Sequence, residues 1–143
     1  MHCSFCGKQE HACNVEKWKL DDNLTVDIAR TKNICVEDPH NTEKKVICEA
    51  CYQADLMNGY SDAELIDIHM QFGIEYILAG RITNAESAFR KLIGIKVTSD
   101  GLAHLAYCLA AQNKTEEARN FYFHALEIDP NHAMARNNLA KLK

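Results

Sequence analysis

Residue types recur at a fixed offset of 33 in the C-terminal half of this chain. The recurring pairs are Gly73 with Ala106, Ala85 with Ala118, Phe89 with Tyr122, and Leu92 with Ala125. Small residues suit places where two helices cross closely, and large residues fill the space beside the crossing. A unit of this length cannot bury a core alone, so neighbouring units must share one. The offset therefore predicts a stack of helical hairpins.

Start and stop signals divide the chain after residue 60 into five helices. Ser61-x-x-Glu64 and Thr83-x-x-Glu86 have the spacing of capping boxes, in which two side chains satisfy free backbone N–H groups at a helix start. Each box opens an amphipathic stretch, and Gly80 lies where a helix C-cap belongs. The pattern predicts an all-helical segment from residue 61 onward.

The second unit has acceptable residue types at all eight signature positions of a known repeat family. These residues are Leu102, Leu105, Ala106, Leu109, Ala118, Tyr122, Ala125 and Pro130. The unit closely resembles the tetratricopeptide repeat, a helical hairpin that stacks into α-solenoids. The first unit, at residues 66–98, is similar but has His69 where the family has a large aromatic residue. The resemblance covers residues 66–143 and implies two hairpins followed by a C-terminal capping helix.

Repeats of this family usually bind peptides on a concave face formed by the first helix of each unit, so the resemblance implies a partner-binding groove. The positions that it assigns to this face are Met70, Gln71, Ile74, Ile77, His104, Tyr107, Asn137, Asn138 and Lys141. The face is apolar at one end and polar to basic at the other, which suits an amphipathic helix or an apolar peptide. Alternatively, the N-terminal zinc module, the linker helix or a second copy of the chain covers it, so a homodimer is a further expectation.

Two Cys-x-x-Cys pairs frame the first third of the chain. They are Cys3 with Cys6 and Cys48 with Cys51. Two such pairs supply four thiolates, which is the ligand set of a tetrahedral structural zinc site. Four sulfur ligands leave no coordination position for water or substrate, so the predicted Zn²⁺ stabilises the fold and performs no chemistry.

The residues around both pairs, at 3–8 and 46–51, resemble the four-cysteine zinc-binding domain at the start of the ClpX unfoldase. The resemblance implies a treble-clef-like module that serves protein contacts and often dimerisation. In this chain 41 residues separate Cys6 from Cys48, and an inserted β-hairpin between Trp18 and Cys35 would account for this excess. No G-x-x-x-x-G-K-[ST] segment occurs, so the resemblance does not imply unfoldase activity.

These patterns predict an α+β chain of two domains. Residues 1–58 form a treble-clef-like zinc module with a β-hairpin, and residues 61–143 form an all-α array like that of tetratricopeptide repeats. Seven cysteines without a signal peptide indicate a reducing compartment, so we expect a cytoplasmic protein. No segment is long and apolar enough to span a bilayer, and we expect no membrane partner. The predicted function is that of a non-catalytic protein-interaction or adaptor module.

Two other functions stay open on the sequence. A basic strip around Trp18 would bind nucleic acid through the zinc module, although the net charge of −4 does not favour this. Cys48 and Cys51 would perform thiol redox chemistry, although the βαβ unit typical of such motifs is missing. Cys13 and Cys35 either fill small buried spaces or replace an assigned zinc ligand. No nucleophile–histidine–acid set and no phosphate loop is visible, so we predict that the protein is not an enzyme.

Overall fold

The computed structural model describes residues 35–37, 39, 46–53 and 59–142. The chain divides into two compact units, Met1–Glu75 and Tyr76–Lys143. The division predicted from the sequence, at residues 1–58 and 61–143, stays a prediction. The described part of the chain contains two short strands followed by six helices.

A two-stranded antiparallel sheet precedes the first short helix. β1 spans Cys35–Glu37 and β2 spans Val46–Cys48, with Val36 opposite Ile47 in the register. Both of these side chains are buried, and their β-branched shape favours a strand. α1, Glu49–Gln53, follows β2 directly. The predicted strand before the second cysteine pair is confirmed, whereas the predicted β-hairpin lies outside the described residues.

α2, Asp62–Leu78, begins with the predicted capping box. The Ser61 N–H donates to Oε1 of Glu64 at 2.9 Å, and the Glu64 N–H donates to Oγ of Ser61 at 3.2 Å. These reciprocal bonds satisfy two N–H groups that have no partner within the helix. The apolar periodicity of the sequence predicts one face of α2 with Leu65, Ile68, His69, Phe72, Gly73 and Tyr76. In the structure the last five of these are buried, and Leu65 is half-buried.

Four helices follow in the second unit, and each packs against the next. They are α3 (Ile82–Ile95), α4 (Ser99–Ala111), α5 (Thr115–Ile128) and α6 (Ala133–Lys141). α4 also contacts α6. The short connections, at residues 96–98, 112–114 and 129–132, are typical of neighbouring antiparallel helices. The predicted helical array is confirmed, and none of the described helices is both long and apolar enough to cross a membrane.

Helices α2 and α4 end in the same way, one repeat apart. After α2, Gly80 has a φ of 76°, and after α4, Asn113 has a φ of 63°. At each end two N–H groups donate to carbonyl groups three and five residues earlier, at 2.8–3.0 Å. Glycine adopts positive φ without cost, and asparagine tolerates it better than most residues. The glycine at position 80 therefore predicts the end of α2 from the sequence. The end of α4 is not predicted in this way, because asparagine signals a positive φ less clearly than glycine does.

The core of the second unit combines small and large apolar residues. The side chains buried there from α3, α4 and α5 are Ala85, Ala88, Phe89, Leu92, Leu102, Ala103, Leu105, Ala106, Cys108, Leu109, Ala118, Tyr122 and Ala125. The alanines permit close helix crossings, and Phe89 and Tyr122 fill equivalent spaces in successive hairpins. The offset of 33 thus relates equivalent core positions.

The capping box predicted at Thr83 and Glu86 is wrong. α3 begins after Arg81, and no side chain forms a capping hydrogen bond there. Oε2 of Glu86 instead accepts from Nε of Arg90 at 2.8 Å, and Oε1 accepts from Nε2 of Gln112 at 2.7 Å. Through its bond with Gln112, the carboxylate connects α3 to the turn after α4.

Protonation of Glu86 is expected to weaken the second unit. Burial by itself would raise the pKa of Glu86, but hydrogen bonds from Arg90 and Gln112, with the charges of Arg90 and Lys114, lower it below its usual 4.5. A carboxyl group with a lowered pKa stabilises the folded state above its unfolded-state pKa, and this contribution is lost as the pH falls through the folded-state pKa. We therefore expect Glu86→Gln to lower the free energy of unfolding by about 1 kcal/mol at neutral pH.

The difference between Glu86→Gln and the wild type should shrink as the pH falls below 4.5, because the wild-type carboxyl group then also becomes neutral. Urea unfolding followed by circular dichroism across this range measures it. Glu116→Gln is the matched control, since Glu116 is 85% exposed in its ion pair with Arg119 and such pairs contribute less than about 1 kcal/mol. An equal loss at neutral and acidic pH for Glu86→Gln would contradict the prediction.

Cys108 is expected to be inert towards thiol reagents in the folded protein. Its side chain is fully buried in α4, and burial together with the negative charge of Glu86 raises the pKa of the thiol to about 12. The thiolate is the reactive form, so modification requires unfolding. We expect iodoacetamide labelling of Cys108, resolved by peptide mass spectrometry, to be absent in buffer and rapid in urea. Labelling in buffer at the rate of an exposed cysteine would contradict this expectation.

Candidate functional site

An aromatic residue from α1 packs on the buried face of α2 within the first unit. The ring of Tyr52 stacks on that of Phe72, with a centroid distance of 3.9 Å and an interplanar angle of 12°. The Tyr52 hydroxyl and Nδ1 of His69 form a buried hydrogen bond of 2.7 Å. His69 is the position where the repeat family has a large aromatic residue, and here Tyr52 places a ring beside it. These contacts fix α1 on α2.

The predicted zinc ligands lie in and before this region. Cys48 is the last residue of β2, and Cys51 lies in the first turn of α1. Cys35 is directly opposite Cys48 in the antiparallel register. Cys3 and Cys6 are outside the residues that the structure describes, as is Cys13 in the same segment. No group of three or more metal-binding side chains occurs among the described residues, and the zinc set stays a prediction.

The predicted groove positions fall on three helices. α2 carries Met70, Gln71, Ile74 and Ile77, α4 carries His104 and Tyr107, and α6 carries Asn137, Asn138 and Lys141. Tyr107, Asn138 and Lys141 come together around one depression in the second unit, and His104 and Asn137 do not line it. The α2 positions up to Ile74 belong to the first unit. The complete groove stays a prediction.

The depression lies between α4, α5 and α6 and has a volume of about 260 Å³. Its lining residues are Tyr107, Ala110, Ala111, Tyr122, Asn138, Lys141 and Leu142. Alanine side chains, aromatic rings and Leu142 make most of the wall apolar, and Asn138 and Lys141 add an amide and an ammonium group. None of these lining residues is acidic. A concave apolar surface with a few fixed polar groups is typical of a binding site.

Tyr122 forms part of this wall and holds Asn138 in place. Its buried hydroxyl group forms a hydrogen bond with the Asn138 side chain, and burial nevertheless raises the pKa of Tyr122. The phenol therefore stays neutral and keeps its hydrogen bond at physiological pH. The equivalent residue one repeat earlier is Phe89, which has no hydroxyl group. This additional hydroxyl is the sequence signal that identifies Tyr122, because a buried tyrosine hydroxyl needs a partner.

Sequence reasoning also missed Ala110 and Ala111. The offset of 33 aligns them with Ile77 and Leu78, which have much larger side chains. Two adjacent alanines in place of two branched residues open space on the surface of α4. This loss of volume is visible in the sequence once the repeat is aligned, although only the structure shows which helices surround the space.

Two histidines of the second unit fix helix ends. Nδ1 of His104 donates to the carbonyl oxygen of Asp100 at 2.7 Å, and its ring centroid lies 5.2 Å from that of Phe89. Nδ1 of His132 accepts from the N–H of Ala135 at 3.2 Å and so caps α6. Because Nδ1 accepts, Nε2 carries the hydrogen and donates to the Asp100 carboxylate at 2.5 Å. His132 thereby ties the start of α6 to α4.

Comparison with known proteins agrees with this architecture. Residues 99–132, which comprise α4, α5 and the connection to α6, match the family model described as Tetratricopeptide repeat. No curated protein and no solved structure matches the chain. The matched segment is a helical hairpin within an array of hairpins, which is the architecture of a protein-interaction module. This segment is similar to the tetratricopeptide repeat, a type of helical unit that typically binds proteins.

Proposed function

We propose that this protein is a non-catalytic adaptor whose helical repeats hold a peptide or a helix of a partner protein. The observation that carries the proposal is the depression between α4, α5 and α6, two of which lie in the segment that matches the repeat family. Tyr107, Asn138 and Lys141 line it and belong to the groove implied by the family resemblance. Apolar walls with a cationic residue at the edge suit an amphipathic partner.

Tyr107 is the residue on which partner binding is expected to depend most. Its side chain is 39% exposed although it is large and aromatic, and it lines the depression. Partly exposed tyrosines in concave sites are frequent hot spots of protein interfaces, because they bury much apolar area with little loss of conformational freedom.

The test begins with the purified full chain as bait. A captured protein is identified by mass spectrometry, purified and titrated against the chain by calorimetry. We expect Tyr107→Asp to weaken binding at least about tenfold, because it places a charge in an apolar contact. Phe123→Asp is the matched control, since Phe123 is a 49% exposed aromatic residue on α5 that does not line the depression. Circular dichroism verifies that both variants are folded.

The homodimer is tested by the same two variants. Sedimentation of the full chain as a dimer that Tyr107→Asp dissociates, and Phe123→Asp does not, would support a groove occupied by a second copy. Partner binding or dimerisation that is unaffected by Tyr107→Asp would contradict the proposed role of the groove. A chain that binds no protein and stays monomeric would contradict it as well.

We further propose that Cys3, Cys6, Cys48 and Cys51 bind one structural Zn²⁺. The second pair spans a junction between β2 and α1, and its two residues are separated by the two positions typical of zinc ligand pairs. α1 is fixed on α2 directly after the pair, so its backbone is held in place. Four thiolates would complete the coordination of zinc, which supplies stability and no open catalytic position.

Metal analysis of the purified full chain tests the zinc proposal. We expect one equivalent of zinc per chain, and its loss in Cys48→Ser. Cys108→Ala is the matched control and should retain the metal, because Cys108 is buried in the second unit. Cys35→Ser should also retain it. Loss of zinc in Cys35→Ser with retention in Cys3→Ser, or a folded chain without metal, would overturn the assignment.

A further inference from the structure

We propose that the depression between α4, α5 and α6 binds an aromatic side chain of the partner segment, next to a side-chain carboxylate that pairs with Lys141. The inference rests on the proposed function, because it names the chemistry of the segment that the groove holds. It commits the site to an acidic segment with an aromatic anchor.

The size of the depression fits one aromatic side chain. Its volume is about 260 Å³. A closed cavity of about 150 Å³ already accommodates benzene, so one ring fits here with space for the adjoining backbone. The space exists because Ala110 and Ala111 replace the isoleucine and leucine found one repeat earlier. The second repeat therefore has smaller side chains at these two positions than the first repeat has.

The walls favour a ring over an aliphatic side chain. Tyr107 and Tyr122 both line the depression, and aromatic rings attract one another in offset and edge-to-face arrangements beyond the effect of buried area alone. Tyr122 is buried and hydrogen-bonded to Asn138, so its ring and the Asn138 amide are fixed before a ligand arrives. Such preorganisation reduces the loss of conformational entropy on binding.

The charge at the edge of the depression favours an acidic neighbour. Lys141 is exposed in the last turn of α6, and in the described part of the chain no carboxylate is paired with it. The lining contains no aspartate or glutamate to compensate its charge. A carboxylate on the partner would therefore meet an unpaired cation, whereas a lysine or arginine would be repelled. The Asn138 amide, bound to Tyr122, adds polarity but no charge.

Synthetic peptides test this chemistry directly. The probe is a fluorescein-labelled peptide with a single phenylalanine between glutamates, acetylated and amidated so that it has no terminal carboxylate. The first comparison peptide has lysines in place of the glutamates, and the second has alanine in place of the phenylalanine. In anisotropy titrations with the full chain, we expect the probe to bind about tenfold more tightly than either comparison peptide, with an affinity that falls as salt is added.

Two variants of the chain locate the binding. Lys141→Glu should weaken probe binding about tenfold by replacing attraction with repulsion. Ala111→Leu should weaken it by filling the depression, and the fold should tolerate this change because the equivalent Leu78 is 66% exposed. Lys96→Glu is the control, since Lys96 is exposed, does not line the depression and makes the same change in net charge.

Equal binding of the acidic and basic peptides would overturn the inference, as would probe binding that Ala111→Leu leaves unchanged. Failure of the inference is distinguishable from failure of the proposed function. If Lys141→Glu and Ala111→Leu retain a purified partner that Tyr107→Asp releases, the adaptor function stands and this subsite is wrong. If Tyr107→Asp also retains the partner, the proposed function itself fails.

Discussion

Replacement of Phe89 by alanine is expected to lower the free energy of unfolding by about 3–5 kcal/mol. The Phe89 side chain is fully buried in α3, with its ring centroid 5.2 Å from that of His104. Its buried neighbours on the same helix include Ala85 and Ala88, which are too small to fill the space that the ring would leave. The variant therefore loses the burial of the ring and also acquires a cavity. Since domains are stable by about 5–15 kcal/mol in total, this loss would remove a large share of the free energy of unfolding.

Urea denaturation followed by circular dichroism measures this effect. The matched control is Phe123→Ala on α5, which removes the same ring from a side chain that is 49% exposed. We expect the control to cost less than about 1 kcal/mol, because most of that ring is already hydrated. Similar decreases in the free energy of unfolding for the two variants would contradict the prediction that burial of the Phe89 ring stabilises the fold.

Replacement of Gly101 by alanine is expected to lower the free energy of unfolding by about 1–3 kcal/mol, although alanine is the better helix former. A Cβ atom at Gly101 would lie 2.7 Å from Cδ2 of Leu92 and 3.1 Å from Cγ2 of Ile93. It would also lie 3.0 Å from Oγ1 of Thr98, the group that caps α4 by accepting from the Gly101 N–H. Leu92 is fully buried, so a shift of its side chain away from the new methyl group would disturb the packing between α3 and α4.

The same substitution at Gly94 should have the opposite sign. Gly94 lies in α3, and a Cβ atom there meets nothing within 4 Å. Alanine then contributes only its helix propensity, and we expect an increase in stability of about 0.5–1 kcal/mol. Thermal unfolding of both variants and of the wild type measures the two changes in stability. Stabilisation by Gly101→Ala would contradict the prediction, because it would mean that the crossing of α3 and α4 has space for an additional methyl group.

The fold was predictable wherever a local rule determined it alone. Ser61 and Glu64 form the predicted capping box at the exposed start of α2, where nothing else competes for the carboxylate. The same spacing at Thr83 and Glu86 failed, because Glu86 binds Arg90 on the next helical turn and Gln112, which lies 26 residues away in the sequence. Short-range patterns therefore fail where tertiary contacts offer a side chain stronger interactions.

The candidate site was predictable only in part. The family resemblance assigned Tyr107, Asn138 and Lys141 to one groove, and in the structure these three residues line one depression, because the repeat dictates which helices are neighbours. Their role in partner binding stays a prediction. The resemblance did not identify the depression beside them. The depression depends on the small side chains of Ala110 and Ala111, and small residues form no recognisable motif. Tyr122 was assigned to the core, and it is indeed buried, but it also forms a wall of the depression. Apolar periodicity identifies Tyr122 as a core residue, but it does not show that the same side chain also lines a surface depression.

The amino-acid sequence by itself determined the helical repeat, the order of its helices and most of its core, since these follow from apolar periodicity and from interactions within a few residues. Only the tertiary structure decided that Tyr52 packs against His69, that Glu86 connects two hairpins, and which side chains surround the depression. These features depend on distances between residues far apart in the chain. Such distances arise from the packing of whole helices and are not encoded in any single segment.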